Sequence, residues 1–243
     1  MNGAPKLNYK RIAAALVCIA VAIMIIVSIV KIINNDTDNK KEPQISYYTV
    51  YSDNNKWGVI NNSGKVIIEP KYDEMIAIPN KEKPVFIYTY DVNDEGKTYK
   101  TKAINDKEET LFTDYDKVEP IDNFDSKQNI WYENDVLKVV KDNKYGLIDL
   151  DGNEILSCEY NDISALKSVP GDLVVTKDGK KGLIDKKGQT IIKTEYKDIL
   201  PLEEGYKKEY IVVNDEDKGG IVSTSGKVVI QPEYDKIQYC RKQ

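Results

Sequence analysis

The side chains available for chemistry in this 243-residue chain are carboxylates, tyrosines, lysines and three cysteines, because the sequence contains no histidine. Histidine is the usual proton shuttle near neutral pH and the commonest metal ligand. Its absence excludes serine triads, cysteine–histidine pairs and most zinc sites. Cys18, Cys158 and Cys240 lack the spacing of metal ligands. We therefore predict no catalytic residue, no metal site and no cofactor.

An acidic segment from Asp91 to Gly96 resembles the opening of a calcium-binding loop. It has oxygen-bearing side chains at alternate positions and a glycine at the sixth. A complete loop needs a bidentate glutamate at the twelfth position, where this chain has Lys102. We interpret the segment as an acidic turn.

The charge balance argues against a nucleic-acid partner. All 40 acidic residues lie beyond residue 33, whereas four of the 35 basic residues lie before it, so the rest of the chain has 31 basic and 40 acidic side chains, a net charge of −9. Binding to a phosphate backbone needs a local excess of Lys and Arg. We expect no nucleic-acid binding.

An uncharged apolar run of nineteen residues extends from Ile12 to Val30. A helix of that length spans roughly 28 Å, which is enough to cross the hydrocarbon core of a bilayer. The run is longer than the apolar core of a cleaved signal peptide, and it has no small-residue cleavage site. We predict a cytoplasmic tail at 1–11, an uncleaved transmembrane helix at 12–33 and a polar linker at 34–44.

The basic residues around this run predict its orientation. Lys6, Lys10 and Arg11 precede it, whereas Lys31 follows it. By the positive-inside rule, the amino-terminal side is cytoplasmic. We therefore expect a single-pass protein of the cell membrane whose large domain, residues 45–243, is extracytoplasmic.

Four stretches of that domain share a spacing of glycines and tyrosines. In each, a second glycine follows the first by six residues, and a tyrosine follows the first glycine by fourteen. Self-similarity of this kind is the signature of a repeat architecture. The first glycines are Gly58, Gly146, Gly182 and Gly220; the second are Gly64, Gly152, Gly188 and Gly226; the tyrosines are Tyr72, Tyr160, Tyr196 and Tyr234.

A fifth, degenerate copy fits between the first two. Lys102 takes the place of its first glycine, and Tyr115 follows thirteen residues later, so one residue is deleted and both glycines are replaced. Five copies then occupy residues 45–243.

The best-preserved copy, Lys56 to Asp73, resembles the bacterial WG repeat family. It has the Trp57-Gly58-Val59-Ile60 strand, a turn that ends in Gly64, an apolar strand and then Pro70-Lys71-Tyr72-Asp73. The later copies lack the tryptophan. The resemblance implies a β-rich repeat array, often beside a membrane anchor, and it implies no known reaction.

The pattern around the glycines predicts an all-β fold. Apolar and β-branched runs precede and follow each first glycine, and polar turn residues separate them. Three or four antiparallel strands in units of 36 to 44 residues have the size of a propeller blade. We expect a five-bladed, propeller-like array, with an open β-solenoid as the alternative.

Three functions are compatible with this sequence. The first is a non-catalytic surface outside the membrane for a protein partner. The second is a glycan-binding module in which Trp131 and Tyr132, in the long connection after the degenerate copy, stack on sugars. The third is a hydrolase that uses two carboxylates. Because the acids fall chiefly in turns at matching repeat positions, we favour the first function.

Overall fold

The computed structural model describes residues 44–52, 54–93, 98–203 and 209–238. The chain divides into two units, Met1–Gln44 and Ile45–Gln243, and nearly all described residues belong to the second. The predicted tail, transmembrane helix and nearly all of the linker lie outside the described residues. Among the residues that are described, no helix has the length and apolar character needed to cross a membrane.

The described part of the chain is built from antiparallel β-sheets, as predicted. The first sheet contains β1 (Tyr47–Tyr51), β2 (Trp57–Asn61) and β3 (Val66–Tyr72). The second contains β4 (Phe86–Tyr90), β5 (Lys100–Ile104) and β6 (Thr110–Leu111). The chain continues through β7 (Lys117–Glu119), β8 (Asp122–Phe124), β9 (Ile130–Tyr132), β10 (Val136–Lys141), β11 (Lys144–Asp149) and β12 (Glu154–Tyr160). Here β12, β11, β10 and β7 form the third sheet in that order, and β8 pairs with β9 as a separate hairpin.

Two four-stranded sheets complete the array. The fourth sheet contains β13 (Asp162–Ala165), β14 (Asp172–Lys177), β15 (Lys180–Asp185) and β16 (Thr190–Tyr196). The fifth contains β17 (Asp198–Pro201), β18 (Glu209–Val213), β19 (Gly219–Ser223) and β20 (Val228–Tyr234). Each of the five sheets therefore contains one glycine-type strand, which is the strand that carries the first-glycine position of a copy. We call the chain segment that forms one sheet a repeat.

The repeat tyrosine marks the end of a sheet. Strands β12 and β16 end at Tyr160 and Tyr196, and β13 and β17 begin two residues later as the first strands of the next sheets. The short strand that follows each of these two tyrosines thus pairs with the following repeat. Within each repeat the strands pair antiparallel, and the chain passes to the next sheet after Tyr72, Tyr115, Tyr160 and Tyr196.

The second glycine closes the same turn in four repeats. Gly64, Gly152, Gly188 and Gly226 have φ between 78° and 88°, the left-handed region that a glycine adopts without a steric cost. In the turn of the first repeat, Asn61 Oδ1 accepts hydrogen bonds from the backbone N–H groups of Ser63 and Lys65, both at 3.0 Å. The short polar side chain therefore stabilises the turn that the glycine completes.

The degenerate repeat keeps this turn without its glycine. Glu108 stands at the glycine position and has a φ of 61°, and Asn105 Oδ1 still accepts from the backbone N–H groups of Lys107 and Glu109, at 2.9 Å each. A residue with a Cβ is strained in this region. The turn hydrogen bonds therefore hold Glu108 in an unfavourable conformation.

We expect Glu108→Gly to stabilise the protein by about 1 kcal/mol because it removes this strain. The substitution also removes an exposed ion pair between Glu108 and Lys71, but pairs at the surface contribute little. Urea unfolding of the full chain measures the effect. The matched control is Glu109→Gly, at a neighbouring position without a positive φ, where glycine should be destabilising. A shift in the same direction for both variants would contradict the argument.

The first glycine faces a β-bulge in the third strand of its repeat. In the first repeat, Trp57 pairs with Tyr72 and Val59 with Ile68, so β3 has two more residues than β2 between these pairs. A Cβ on Gly58 would lie 2.5 Å from the carbonyl oxygen of Ile68, and the other three first glycines meet a third-strand carbonyl at 2.6 to 2.8 Å. The glycine is needed because a bulged backbone approaches it closely.

The same geometry explains why the degenerate repeat has no glycine there. Its third strand, β6, has two residues, and they pair with Ala103 and Ile104 without a register shift. No residue of β6 pairs with Lys102. The deleted residue that the sequence revealed therefore removes part of the bulge, together with the need for a glycine.

The core consists of four apolar clusters, and each joins two consecutive repeats. On each glycine-type strand, neighbouring residues face opposite ways: Leu147 packs against the fourth repeat, whereas Ile148 packs against the second. Stacking of neighbours thus buries both faces of the inner sheets, as expected for a repeat protein. No such cluster joins the fifth repeat to the first among the residues that the structure describes.

Candidate functional site

A cavity of about 520 Å³ lies beside the β8–β9 hairpin. This volume is within the range of small-ligand pockets. Its wall combines apolar and aromatic groups with three carboxylates and one lysine. It is lined by Glu74, Met75, Ala77, Ile87, Thr89, Val92, Tyr99, Thr101, Glu119, Pro120, Asp122, Tyr132 and Lys138.

A buried polar cluster fixes the hairpin that forms one side of this cavity. Asn123 on β8 donates to Glu133 Oε1 at 2.9 Å and accepts from the backbone N–H of Ser168 at 2.9 Å. Glu133 Oε2 accepts from the backbone N–H of Gly171 at 2.8 Å. Asn123, Glu133 and Ser168 are each at least 98% buried. Since buried polar groups hold their geometry when they are hydrogen-bonded, the hairpin is a fixed part of the array.

Glu119, on β7, is the most enclosed carboxylate of the cavity wall, with 7% of its surface exposed. Lys117 Nζ lies 2.6 Å from Oε1, Lys138 Nζ lies 3.6 Å from Oε2, and the Tyr99 hydroxyl donates to Oε1 at 2.9 Å. The Lys117 ammonium also lies 3.7 Å from the centre of the Tyr99 ring. Two ammonium groups and a hydroxyl stabilise this carboxylate as a hydrogen-bond acceptor.

These contacts determine the protonation state of Glu119. Burial alone would raise the pKa of its carboxyl, but the hydrogen bond and charge of Lys117, the charge of Lys138 and the hydrogen bond from Tyr99 together hold the pKa below its ordinary value. Glu119 is therefore ionised at neutral pH. In this state it can accept hydrogen bonds or attract a cation, and it does not donate a proton.

We expect Glu119→Gln to weaken the acid sensitivity of the protein. Because the folded-state pKa of Glu119 lies below the unfolded value of about 4.5, its ion pairs stabilise the fold above pH 4.5 and are lost as the pH falls through the folded pKa. The free energy of unfolding should consequently fall less steeply below pH 5 in the variant than in the wild type. Urea titrations at a series of pH values measure this slope; parallel curves would contradict the prediction.

Trp131 and Tyr132 lie next to each other on β9. Tyr132 lines the main cavity and, together with Trp131, a second cavity of about 380 Å³. Burial and the Asp122 charge raise the pKa of Tyr132, so its hydroxyl stays protonated. The Trp131 indole N–H is buried, and it has no hydrogen-bond partner among the described residues.

The acidic segment at 91–96 lies only partly within the described residues. Asp91, its first position, forms an ion pair with Lys100 at 2.8 Å. Within the described ranges, no group of three acidic or cysteine residues is arranged to hold a metal ion.

The repeated segments match the model of a known family. The family model of the WG containing repeat matches residues 57–81, 145–168, 182–218 and 220–239. The chain contains four WG repeats. These WG repeats are the four copies that carry both glycines, and the degenerate copy lies outside the matched stretches.

No curated protein matches this chain. Among solved structures, the chain is similar to a eukaryotic initiation factor, with 10% identity over 78% of this chain and 64% of that chain and a TM-score of 0.26. It is also similar to virginiamycin B lyase from Staphylococcus aureus, with 17% identity over 78% and 70% and a TM-score of 0.24. The chain thus spans 64% of the initiation factor.

The aromatic residues of the five repeats occupy different environments. Trp57 is partly buried, and its ring centre lies 4.9 Å from that of Tyr51. Tyr72 packs on Tyr88 of the second repeat at 4.6 Å, and burial together with the Glu108 and Tyr88 charges raises its pKa to about 12. Tyr115 and Tyr160 are partly buried and Tyr196 is buried, each against an apolar cluster. Tyr234, at the end of the fifth repeat, is exposed.

The cluster around Glu119 was not found from the sequence. Alternation along β7 places Lys117 and Glu119 on one face, which is a signal for their ion pair. Tyr99 directly precedes β5 and Lys138 lies on β10, and nothing in their spacing indicates that they meet. The site depends on how the second and third repeats pack.

Proposed function

We propose that the WG repeats form a non-catalytic binding domain that takes a protein partner on the surface around the β8–β9 hairpin. The observation that carries this proposal is the hairpin itself, which is inserted into one repeat and has no counterpart among the described residues of the other four. Insertions into a repeat array are found on its loops, often at the binding face. The hairpin also borders the cavity of about 520 Å³.

The chemistry of the cavity supports a partner segment with apolar and basic side chains. Met75 and Val92 are exposed by 47% and 43% at the wall, and apolar side chains that remain accessible favour association. Glu74 and Asp122 also line the wall, whereas Glu119 is already paired with lysines. A cationic group on the partner would find these two carboxylates beside the apolar surface.

We also propose that this domain is held outside the cell membrane by an anchor. The apolar run at 12–33 anchors the chain in the cell membrane, and the basic residues before it keep the repeats outside. Protease added to intact protoplasts should digest the residues beyond 43; protection would reverse the orientation.

We favour an open array over a closed five-bladed propeller, because Tyr48 and Tyr234, in the first and last repeats, are exposed by 47% and 55%.

Site-specific photocrosslinking in native membranes tests the partner. A benzophenone amino acid at Met75 should capture a discrete protein, whereas the same group at Lys187, an exposed turn position in the fourth repeat, should not. Val92→Asp should reduce the capture, because it places a charge in the apolar part of the wall. Equal capture at Met75 and Lys187, or capture that Val92→Asp leaves unchanged, would rule out this surface.

A glycan ligand is the second candidate, and the Trp131 indole favours it. A buried N–H without a partner is uncommon and costs free energy, and a sugar hydroxyl in the second cavity would accept its hydrogen bond. Asn80 and Asn134 also line this cavity, and amides commonly orient sugar hydroxyls. Tyr132 provides an aromatic side chain in the same wall.

Binding to isolated cell wall separates the two candidates. The glycan function predicts retention that Trp131→Phe weakens, since phenylalanine keeps an aromatic ring and removes the N–H donor. Retention should be lost in the Trp131→Ala, Tyr132→Ala double variant. If the wild type is not retained on cell wall while Met75 captures a protein, the protein partner is the function.

A further inference from the structure

The two ends of the array expose surfaces that the inner repeats bury. At the outer face of the fifth repeat, Ile230 is 37% exposed, whereas Ile68 and Ile192 at the matching position are 0% and 4% exposed. Tyr234 is 55% exposed, whereas Tyr196 is 9% exposed. The difference arises because the described chain supplies no sixth repeat to cover β20.

The first repeat exposes the opposite face. Tyr48 pairs with Ile60 on β2, as Leu137, Leu173 and Tyr210 pair with the matching residues of their repeats. Those three are fully buried against the preceding repeat, whereas Tyr48 is 47% exposed. The first repeat therefore presents the half of a repeat interface that would receive a preceding repeat.

We infer that copies of this chain associate head to tail, with the outer face of the fifth repeat packed on the outer face of the first repeat of a second copy. The contact would continue an interface that already occurs four times within the chain. The closest internal example joins the fourth and fifth repeats, where Tyr196 and Tyr210 belong to one buried cluster. Tyr234 and Tyr48 occupy the matching positions on the two free faces.

A second copy fits these faces better than an unrelated partner does. The outer faces of the fifth and first repeats are the two different halves of one interface, so the fifth repeat of one copy can bind the first repeat of another. Such a contact is heterologous, and each copy that joins leaves one free face of each kind. Association therefore extends a row of copies or closes it as a ring.

Disulfide crosslinking of the full-length chain in mild detergent tests the geometry. Two variants are made in a background without native thiols (Cys18→Ala, Cys158→Ala, Cys240→Ser). One carries Tyr48→Cys and the other carries Tyr234→Cys. The two variants have different tags, and they are mixed and oxidised. The mixed pair should crosslink well above either variant alone and above Tyr234→Cys mixed with Lys127→Cys, a turn position of the hairpin. Mixed crosslinking no higher than this control would overturn the inference, as would a chain with both cysteines that crosslinks only within itself.

A second measurement leaves the tyrosines in place. Mass measured by light scattering should rise with concentration for the wild type, and Ile230→Glu should weaken this association by about tenfold or more. Lys227→Glu, an exposed change in the turn before β20, is the charge control. Wild-type mass that stays at one chain at every concentration, or Ile230→Glu that associates like the wild type, would overturn the inference.

Discussion

Gly58→Ala is expected to lower the free energy of unfolding by about 3 kcal/mol, because the new methyl group would press on backbone that has no room to yield. The Cβ would lie 2.5 Å from the Ile68 oxygen and 2.8 Å from the Pro70 nitrogen. Relief requires β3 to move away from β2, and Ile68 is fully buried at the interface of the first and second repeats. The substitution therefore disturbs the bulge and the packing on the next repeat together.

The degenerate repeat provides the matched control for this change. Lys102 stands at the first-glycine position and has a Cβ already, so Lys102→Ala should shift stability by less than about 0.5 kcal/mol. Urea unfolding followed by fluorescence of the two tryptophans, Trp57 and Trp131, reports both variants. A cost for Gly58→Ala as small as that for Lys102→Ala would show that the bulge does not demand glycine.

Tyr210→Phe should destabilise the protein by about 2 kcal/mol, because the bond it removes ends on a buried carboxylate. The Tyr210 hydroxyl donates to Asp172 Oδ2 at 2.6 Å, and both residues are fully buried. Burial, with Asp172 beside it, raises the pKa of Tyr210, so the hydroxyl remains a donor at ordinary pH. The bond joins β14 of the fourth repeat to β18 of the fifth, and the variant leaves the carboxylate with one donor fewer.

Hydrogen exchange locates this effect within the array. Stability in stacked repeats is a sum of intrinsic and nearest-neighbour terms, so exchange in β18 and β19 should rise more than in β1 and β2. Tyr99→Phe is the control, since the Tyr99 hydroxyl also donates to a carboxylate, but the residue is 42% exposed and Glu119 keeps two lysines. A larger cost for Tyr99→Phe than for Tyr210→Phe would contradict the argument from burial.

The spacing of residues predicted much of the fold, because the same backbone conformations are required in each of four repeats. The glycine at the end of the Asn61–Gly64 turn is required by a positive φ, and the glycine at 58 by a close backbone. Such demands depend on residues a few positions apart, so they remain visible in the sequence. The strands and turns of the four repeats follow from them.

The hairpin and the cavity depend on longer-range packing, and the sequence revealed less of them. A turn signal for the hairpin was present, since Asp125 and Asn129 make the same side-chain bonds as Asp149 and Asn153. Gln128 replaces the glycine there and adopts a φ of 63°, which hides the resemblance. The contact of Tyr99 with Glu119 joins the residue before β5 to β7 and has no local signal.

The crossing after each tyrosine determines where this chain can be shortened or lengthened. Because β16 ends at Tyr196 and β17 begins the next sheet at Asp198, a break at residue 197 separates complete sheets. A break just before a first glycine, such as Gly182, would instead divide β15 and leave β14 without most of its partner. Duplication or loss of a unit is therefore compatible with folding when its borders follow the tyrosines, even though the glycines are the more conspicuous marks in the sequence.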